Sequence, residues 1–457
     1  EMILQAKQIG AREALAWGLA DAAPTKEAEL RTQLAFLGVK AIQQGKRALR
    51  GLPLRSWGQR LTESTPLGRA VIFGAAERGL RARVPDDMPA PAEALQAIRV
   101  GLREGMAAGL AFERAAAGRL AVTPASRNLV LLALRTLGAK KLPESLQAAR
   151  PAEVRRVGVV GAGVMGAGIA QLAAVRGAEV MVREINQAAL DAGMARIADL
   201  FDKAVRRGVL SEDEAKKRLA AVRGTTAWDG FGDVDVVVEA AVENLDAKRA
   251  VFRELDARTR PDAVLATNTS SLPVASLGEG LAHPERVGGM HFFNPVHKMQ
   301  LVEVVRTSAT TERAVATLAQ WAVALGKTPV VVRDGPGFVV NRVLTPYLNE
   351  AAVLVAEGMQ IREVDHVMKR FGMMMGPLEV LDQIGLDVAA HVADSMGPLM
   401  ADRLGQNTAF ARMRDNGWLG QKNGRGFYDH RGRRRTPNHL AENLLQGEGA
   451  GEGAAVS

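Results

Sequence analysis

Two groups of residues in this 457-residue chain have types and spacings suited to chemistry. The first is Gly161-Ala162-Gly163-Val164-Met165-Gly166, a G-x-G-x-x-G run between the β-branched Val157–Val160 and a helical pattern with Ile169, Leu172 and Ala173 on one face. Gly161 permits a tight turn, Gly163 lets backbone approach a pyrophosphate with no Cβ in the way, and Gly166 allows a helix to pack closely on a strand. A helix starting there offers free N–H groups and a positive dipole end to phosphates. Glu184, 23 residues after the first glycine, ends the next strand, where a carboxylate can accept hydrogen bonds from ribose hydroxyls and so favours NAD over NADP. Arg183 beside it points the other way, since a cation there suits a 2′-phosphate.

The second group centres on His291, in His291-Phe292-Phe293-Asn294-Pro295, just after the strand-like Arg286–Met290. Passing a hydride from an alcohol to a nicotinamide needs a base for the hydroxyl proton, and histidine titrates in the right range. Twelve residues on, Glu303 interrupts the apolar run Leu301–Val305. A carboxylate in such a strand is costly without a partner, and an imidazole N–H is a natural one. Ser270 follows another strand in Thr267-Asn268-Thr269-Ser270-Ser271-Leu272-Pro273 and reads equally as a ligand-edge residue or as a helix cap before Pro273. Asp334-Gly335-Pro336-Gly337-Phe338 marks the exit from the sheet, with Asn341 on the first turns of the next helix. No metal site is expected: there is no Cys and no H-x-x-x-H pair.

The elements that must position these residues follow from periodicity. Short β-branched runs at Val157–Val160, Val180–Val182, Val234–Val238, Val264–Thr267, Val302–Val305 and Val330–Val332 alternate with helical patterns, which predicts a parallel α/β sheet. Residues 1–152 and 335–429 read as helical, the former broken at the Pro-rich Val84–Pro91, and the last 27 residues read as a disordered tail. The net charge of +9 falls wholly within residues 1–153, scattered at helical spacing with few aromatics, so a solvated face is favoured over a nucleic-acid surface. No apolar run reaches a membrane-span length. The opening at Glu1, without an initiator Met or a signal pattern, reads as an incomplete cytoplasmic chain.

Taken together, these motifs in order, with Gly376-Pro377-Leu378 and Gly385-Leu386-Asp387, resemble the L-3-hydroxyacyl-CoA dehydrogenases of fatty-acid β-oxidation over residues 153–430. The resemblance implies His291 as general base, Glu303 as its partner, and Ser270 and Asn341 on the substrate's 3-oxygen. It also implies that Gly161, Gly163, Met165, Gly166, Glu184, Ala241, Val242, Glu243, Lys248, Ser270 and Asn294 line the NAD side; the family usually has Asp where Glu184 stands. The flanks resemble the multifunctional version, the α-subunit of the bacterial fatty-acid oxidation complex. Glu1-Met2-Ile3-Leu4 through Trp17-Gly18-Leu19-Ala20-Asp21 is similar to the late helices of an enoyl-CoA hydratase/isomerase.

The implied layout is a crotonase-fold helical remnant at 1–85, linker helices at 86–152, a Rossmann-like NAD-binding domain at 153–334, an all-α dehydrogenase domain at 335–430 and a tail at 431–457. The late helices are expected to pack on the linker, burying Ile98, Leu102, Met106 and Leu110. Hydratase activity is expected to be lost, since its paired carboxylates and oxyanion-hole glycines lie upstream of the likeness. An acyl-CoA substrate, a thiolase subunit and self-association are the implied partners. The competing readings are a non-catalytic acyl-CoA-binding or assembly module and a reductase of another hydroxy acid; the His-x-Phe-Asn-Pro box argues against the latter.

Overall fold

A computed structural model of the protein describes residues 10–16, 19–20, 31–32, 34–35, 39, 65–82, 84–85, 87–396, 408–431 and 435–446. Most of the expected hydratase remnant, including Glu1–Leu4, Trp17, Gly18 and Asp21, lies outside the described residues. The chain forms two compact units, the first holding residues 1–131 with Arg370–Met373 and the second Leu132–Lys369 with Met374–Ser457.

In the first unit, helices α1 (Pro66–Arg81), α2 (Ala90–Glu104) and α3 (Met106–Ala121) carry the predicted helical pattern. At Gly101 and Gly109 the backbones of α2 and α3 approach so closely that a Cβ on Gly109 would stand 2.7 Å from the Gly101 Cα. Ile98, Leu102, Met106 and Leu110 are not buried as expected. They are 36–75% exposed and line an open apolar groove between the two helices, because that glycine contact, not the larger side chains, forms the crossing.

The second unit is built on an eight-stranded sheet: β1 (Arg156–Val160), β2 (Glu179–Arg183), β3 (Val222–Thr225), β4 (Val236–Glu239), β5 (Val264–Thr267), β6 (Val287–Phe292), β7 (Leu301–Arg306) and β8 (Thr328–Arg333), in the order β3-β2-β1-β4-β5-β6-β7-β8. All neighbours are parallel except β6 and β7, whose short connection allows an antiparallel return but not a crossover. The strand β3 carries Arg223 and Gly224 in place of an apolar run and was not legible in the sequence.

The polypeptide winds outward from β1 to β3 and then crosses to β4, so a switch point opens between the carboxyl ends of β1 and β4. Helices α4 (Val164–Val175) and α5 (Glu312–Ala324) cover one face, with Ile169, Ala173, Val315 and Leu318 at or near full burial. On the other, α6 (Leu245–Arg258) packs Phe252 and Leu255 against Val237 and Leu265. Leu146 joins the first core and Ala152 N–H donates to Thr317 Oγ1 at 2.9 Å, so the expected boundary at 152/153 falls inside packed structure.

Helices α7 (Val340–Ala356), α8 (Ile361–Phe371), α9 (Pro377–Ile384) and α10 (Leu386–Met396) form the predicted helical domain. Within its core, Asp382 accepts the N–H groups of Phe427 and Tyr428, both at 2.8 Å, and Asp365 accepts Tyr428 Oη–H at 2.6 Å. The tail expectation needs correcting for residues 435–446. Thr436–Pro437 pairs with Tyr428–Asp429, and α11 (His439–Gln446) buries Ala441 and Leu445 in the same core. Its apolar residues are spaced at helical intervals that a basic, Gly-rich composition obscured.

Candidate active site

At the switch point, Gly161 has φ +93°, and a Cβ there would stand 2.7 Å from the Ala240 carbonyl oxygen after β4. Only glycine meets both demands. A Cβ on Gly166 would fall 1.8 Å from the Gly161 oxygen, so this glycine sets how closely α4 approaches β1. Nothing lies within 4 Å of a Cβ on Gly163, the α4 N-cap, and no side chain caps that helix. Open space faces unsatisfied helix N–H groups, which is the arrangement a pyrophosphate needs, so these residues fit a dinucleotide. Met165 sits half-buried on the first turn of α4, and exposed Val242 follows Ala241 on the loop after β4.

Glu184 stands beside this loop: Oε1 accepts Ala162 N–H at 2.5 Å and Oε2 accepts Ile185 N–H at 3.2 Å. Strand alternation along β2 sends Arg183 to the opposite face, where its guanidinium lies 4.0 Å over the Trp228 ring. Burial there holds its pKa below the usual arginine value.

The antiparallel register places His291 of β6 directly opposite Glu303 of β7. Both side chains are buried, and Nδ1 lies 2.8 Å from Glu303 Oε2. Glu303 Oε1 accepts the N–H groups of Val339 and Val340, each at 2.9 Å, at the start of α7. Burial alone would raise the Glu303 pKa; the His291 bond and the Val340 and Val339 N–H groups outweigh it and hold the carboxyl below its usual range. An ionised carboxylate only accepts, so Nδ1 must donate, and in the neutral imidazole Nε2 is left as the proton acceptor. Phe293 and Phe338 flank the ring at 4.5 and 5.7 Å. Phe338 takes φ +45°, a left-handed conformation unfavourable by roughly 1–2 kcal/mol that turns the chain into α7.

Ser270 and Asn341, 71 residues apart, meet where Asn341 Nδ2 donates to the Ser270 carbonyl at 3.3 Å. The helix-cap alternative for Ser270 does not hold: Asp334 instead accepts the N–H groups of Val274 and Ala275 at 2.9 and 2.8 Å. Asn294 is exposed in the turn after β6, joined to Pro295 by a cis peptide. Glu243 Oε1 accepts from Thr269 Oγ1 and, at 3.2 Å, from Ser270 N–H. Its pKa is lowered, because the Thr269 bond and Lys248 outweigh burial. Lys248 is 1% exposed, with Nζ 2.8 and 3.0 Å from the oxygens of Glu239. Sequence reasoning passed over Glu239, yet the signal that picked out Glu303 was there too: a carboxylate closing an apolar run, Val236–Val238. Asn268, whose Oδ1 accepts Phe292 N–H at 2.9 Å and so ties the β5 loop to the histidine strand, gave no such signal.

A doubly wound sheet with a glycine-loop dinucleotide cradle and a buried His–Glu dyad defines an NAD-dependent oxidoreductase. Residues 156–335 match the 3-hydroxyacyl-CoA dehydrogenase NAD binding domain and residues 337–430 the 3-hydroxyacyl-CoA dehydrogenase C-terminal domain. Among solved structures, M. tuberculosis FadB2 is 42% identical, with a TM-score of 0.59 over 61% of this chain and 99% of that one. The (S)-3-hydroxybutyryl-CoA dehydrogenase PaaH1 from Ralstonia eutropha is 37% identical, with a TM-score of 0.59 over 61% and 100%. The 3-hydroxybutyryl-CoA dehydrogenase from Escherichia coli K12 is 36% identical, with a TM-score of 0.60 over 62% of this chain and 61% of its own. The chain belongs to the 3-hydroxyacyl-CoA dehydrogenase family.

Proposed function

We propose that this chain oxidises (3S)-3-hydroxyacyl-CoA to 3-oxoacyl-CoA with NAD, as a step of fatty-acid β-oxidation. The observation that carries the reading is the His291–Glu303 dyad, whose ionised carboxylate forces Nδ1 to donate and leaves Nε2 basic. His291 Nε2 takes the 3-hydroxyl proton, and Glu303 stabilises the resulting imidazolium. Ser270 and Asn341 hold the 3-oxygen. Gly161, Gly163, Gly166, Met165, Glu184, Ala241, Val242, Glu243, Lys248 and Asn294 shape the cofactor side. When bound, NAD supplies the acceptor for the hydride leaving carbon 3. NADH oxidation on adding acetoacetyl-CoA, run in the reverse direction, tests the reading; no consumption above the buffer rate would leave a non-catalytic acyl-CoA-binding module in its place.

The layout of residues 1–152 as a hydratase remnant and linker belongs to the same proposal, as do a cytoplasmic setting, a thiolase partner and self-association. Hydrating an enoyl-CoA needs two placed carboxylates and an oxyanion hole, and the acids of residues 1–60, Glu1, Glu13, Asp21, Glu27 and Glu29, come with no Gly-rich run in the sequence. Crotonyl-CoA supplied without NAD keeps its conjugated absorbance on this reading. Enzyme-dependent decay would refute it.

A further inference from the structure

Lys327 is 4% exposed, and among the described residues no carboxylate pairs with it. A buried cation is costly unless something receives it. Here Nζ donates to two backbone carbonyls of the turn after β6, those of Val296 and, at 2.7 Å, Met299. Burial, with Arg176 nearby, holds the Lys327 pKa below the usual lysine value. The end of α5 aims the side chain. Gly326 takes φ +80° and donates its N–H to the Val323 carbonyl at 2.9 Å, while Lys327 N–H donates to the Ala322 carbonyl at 2.9 Å, the two bonds of a Schellman cap. Thr328 N–H then donates to the Gln300 carbonyl at 2.8 Å, so the chain enters β8 beside the far end of the same turn.

The turn begins with the Phe293 ring, 4.5 Å from that of His291, and with exposed Asn294. The Pro295 carbonyl accepts the N–H groups of Lys298 and Met299 at 2.9 and 3.0 Å. Val296 is 3% exposed and lies against α4, where a Cβ on Gly168 would stand 2.9 Å from its Cγ2. Among the described residues no hydrogen bond holds the Asn294 side chain, so its place is set by the turn that carries it. Resting on the reading that Asn294 lies on the cofactor side, we infer that Lys327 is a positioning residue: through the carbonyls of Val296 and Met299 it fixes the turn after β6 and so sets Asn294 against the dinucleotide.

Residues that act through one another give non-additive effects, whereas independent ones add. NADH Kd, read by fluorescence titration, should rise about fivefold in Lys327→Met and about tenfold in Asn294→Ala, and the double variant should lie within about twofold of Asn294→Ala. Amide hydrogen exchange over residues 295–299 should quicken in Lys327→Met. Val315→Ala, a core truncation in the same helix α5, should lower Tm and leave NADH Kd unchanged, which separates positioning from general loosening. If Lys327→Met does not fold, Lys327→Gln, with an N–H donor on a shorter stem, is read the same way. A double variant whose Kd is the product of the two single effects would overturn the inference, as would wild-type Kd and wild-type turn exchange in Lys327→Met. If Asn294→Ala binds NADH like wild type, the cofactor reading of Asn294 fails; turn exchange in Lys327→Met then upholds its hold on the turn if quickened and overturns it if unchanged.

Discussion

His291 and Glu303 owe their chemistry to one cross-strand pairing and to the two N–H groups that begin α7. Replacing His291 by Ala should lower kcat by about 10²–10⁴-fold, the usual contribution of a positioned base, while NADH binding by fluorescence stays near wild type. Retained turnover would remove the histidine from the mechanism. Glu303→Gln is informative in a different way. A carboxamide has one acceptor oxygen, so it cannot serve both the histidine and the Val339 and Val340 donors. Because the folded pKa of Glu303 lies below its ordinary value of 4.5, its stabilisation is present above that pH and is lost as pH falls toward the folded value. The Tm advantage of wild type over Glu303→Gln should therefore shrink in acid below pH 4.5. Burial raises the pKa of Asp365 and of Asp382, which gives the opposite slope, but both proteins carry these groups and the difference cancels them. A constant or widening gap would mean that Glu303 is not held as the ionised partner.

On the proposed reading, the strand is the element that sets cofactor choice. Along β2 the period-two alternation sets Glu184 beside the glycine loop and Arg183 against Trp228, so the carboxylate and not the guanidinium faces the loop. A like-charge encounter between Glu184 and a 2′-phosphate should cost about 1–3 kcal/mol, or roughly 5–150-fold in affinity for NADPH against NADH. Equal dissociation constants would show that Arg183 escapes its stacking on the indole. The turn into α7 works in the same local way: Gly337 and Phe338 both adopt positive φ, and this brings Asn341 to Ser270 and the α7 N–H groups to Glu303. One reversal of the chain thus serves the His291–Glu303 dyad and the proposed substrate-oxygen site together.

In the whole molecule, the sheet core gathers residues from Leu146 onward, and 61% of this chain suffices to cover 99% of FadB2. A chain beginning at Ala139 should therefore unfold cooperatively and bind NADH within about threefold of the full chain; loss of either would mean that residues before 139 complete the fold. The sequence alone determined those features whose cause is local. The glycine loop, the strand-and-helix alternation and the isolated charges in apolar runs each follow from φ/ψ limits, side-chain period and the cost of burying a charge, all of which act within a few residues. Tertiary structure decided the rest. The antiparallel turn of β7, the partnership of Lys248 with Glu239, the use of Asp334 rather than Ser270 as the helix cap, and the docking of α11 join residues from 9 to 81 positions apart. Which of several possible partners a buried donor finds is fixed only when packing brings one of them within hydrogen-bond reach.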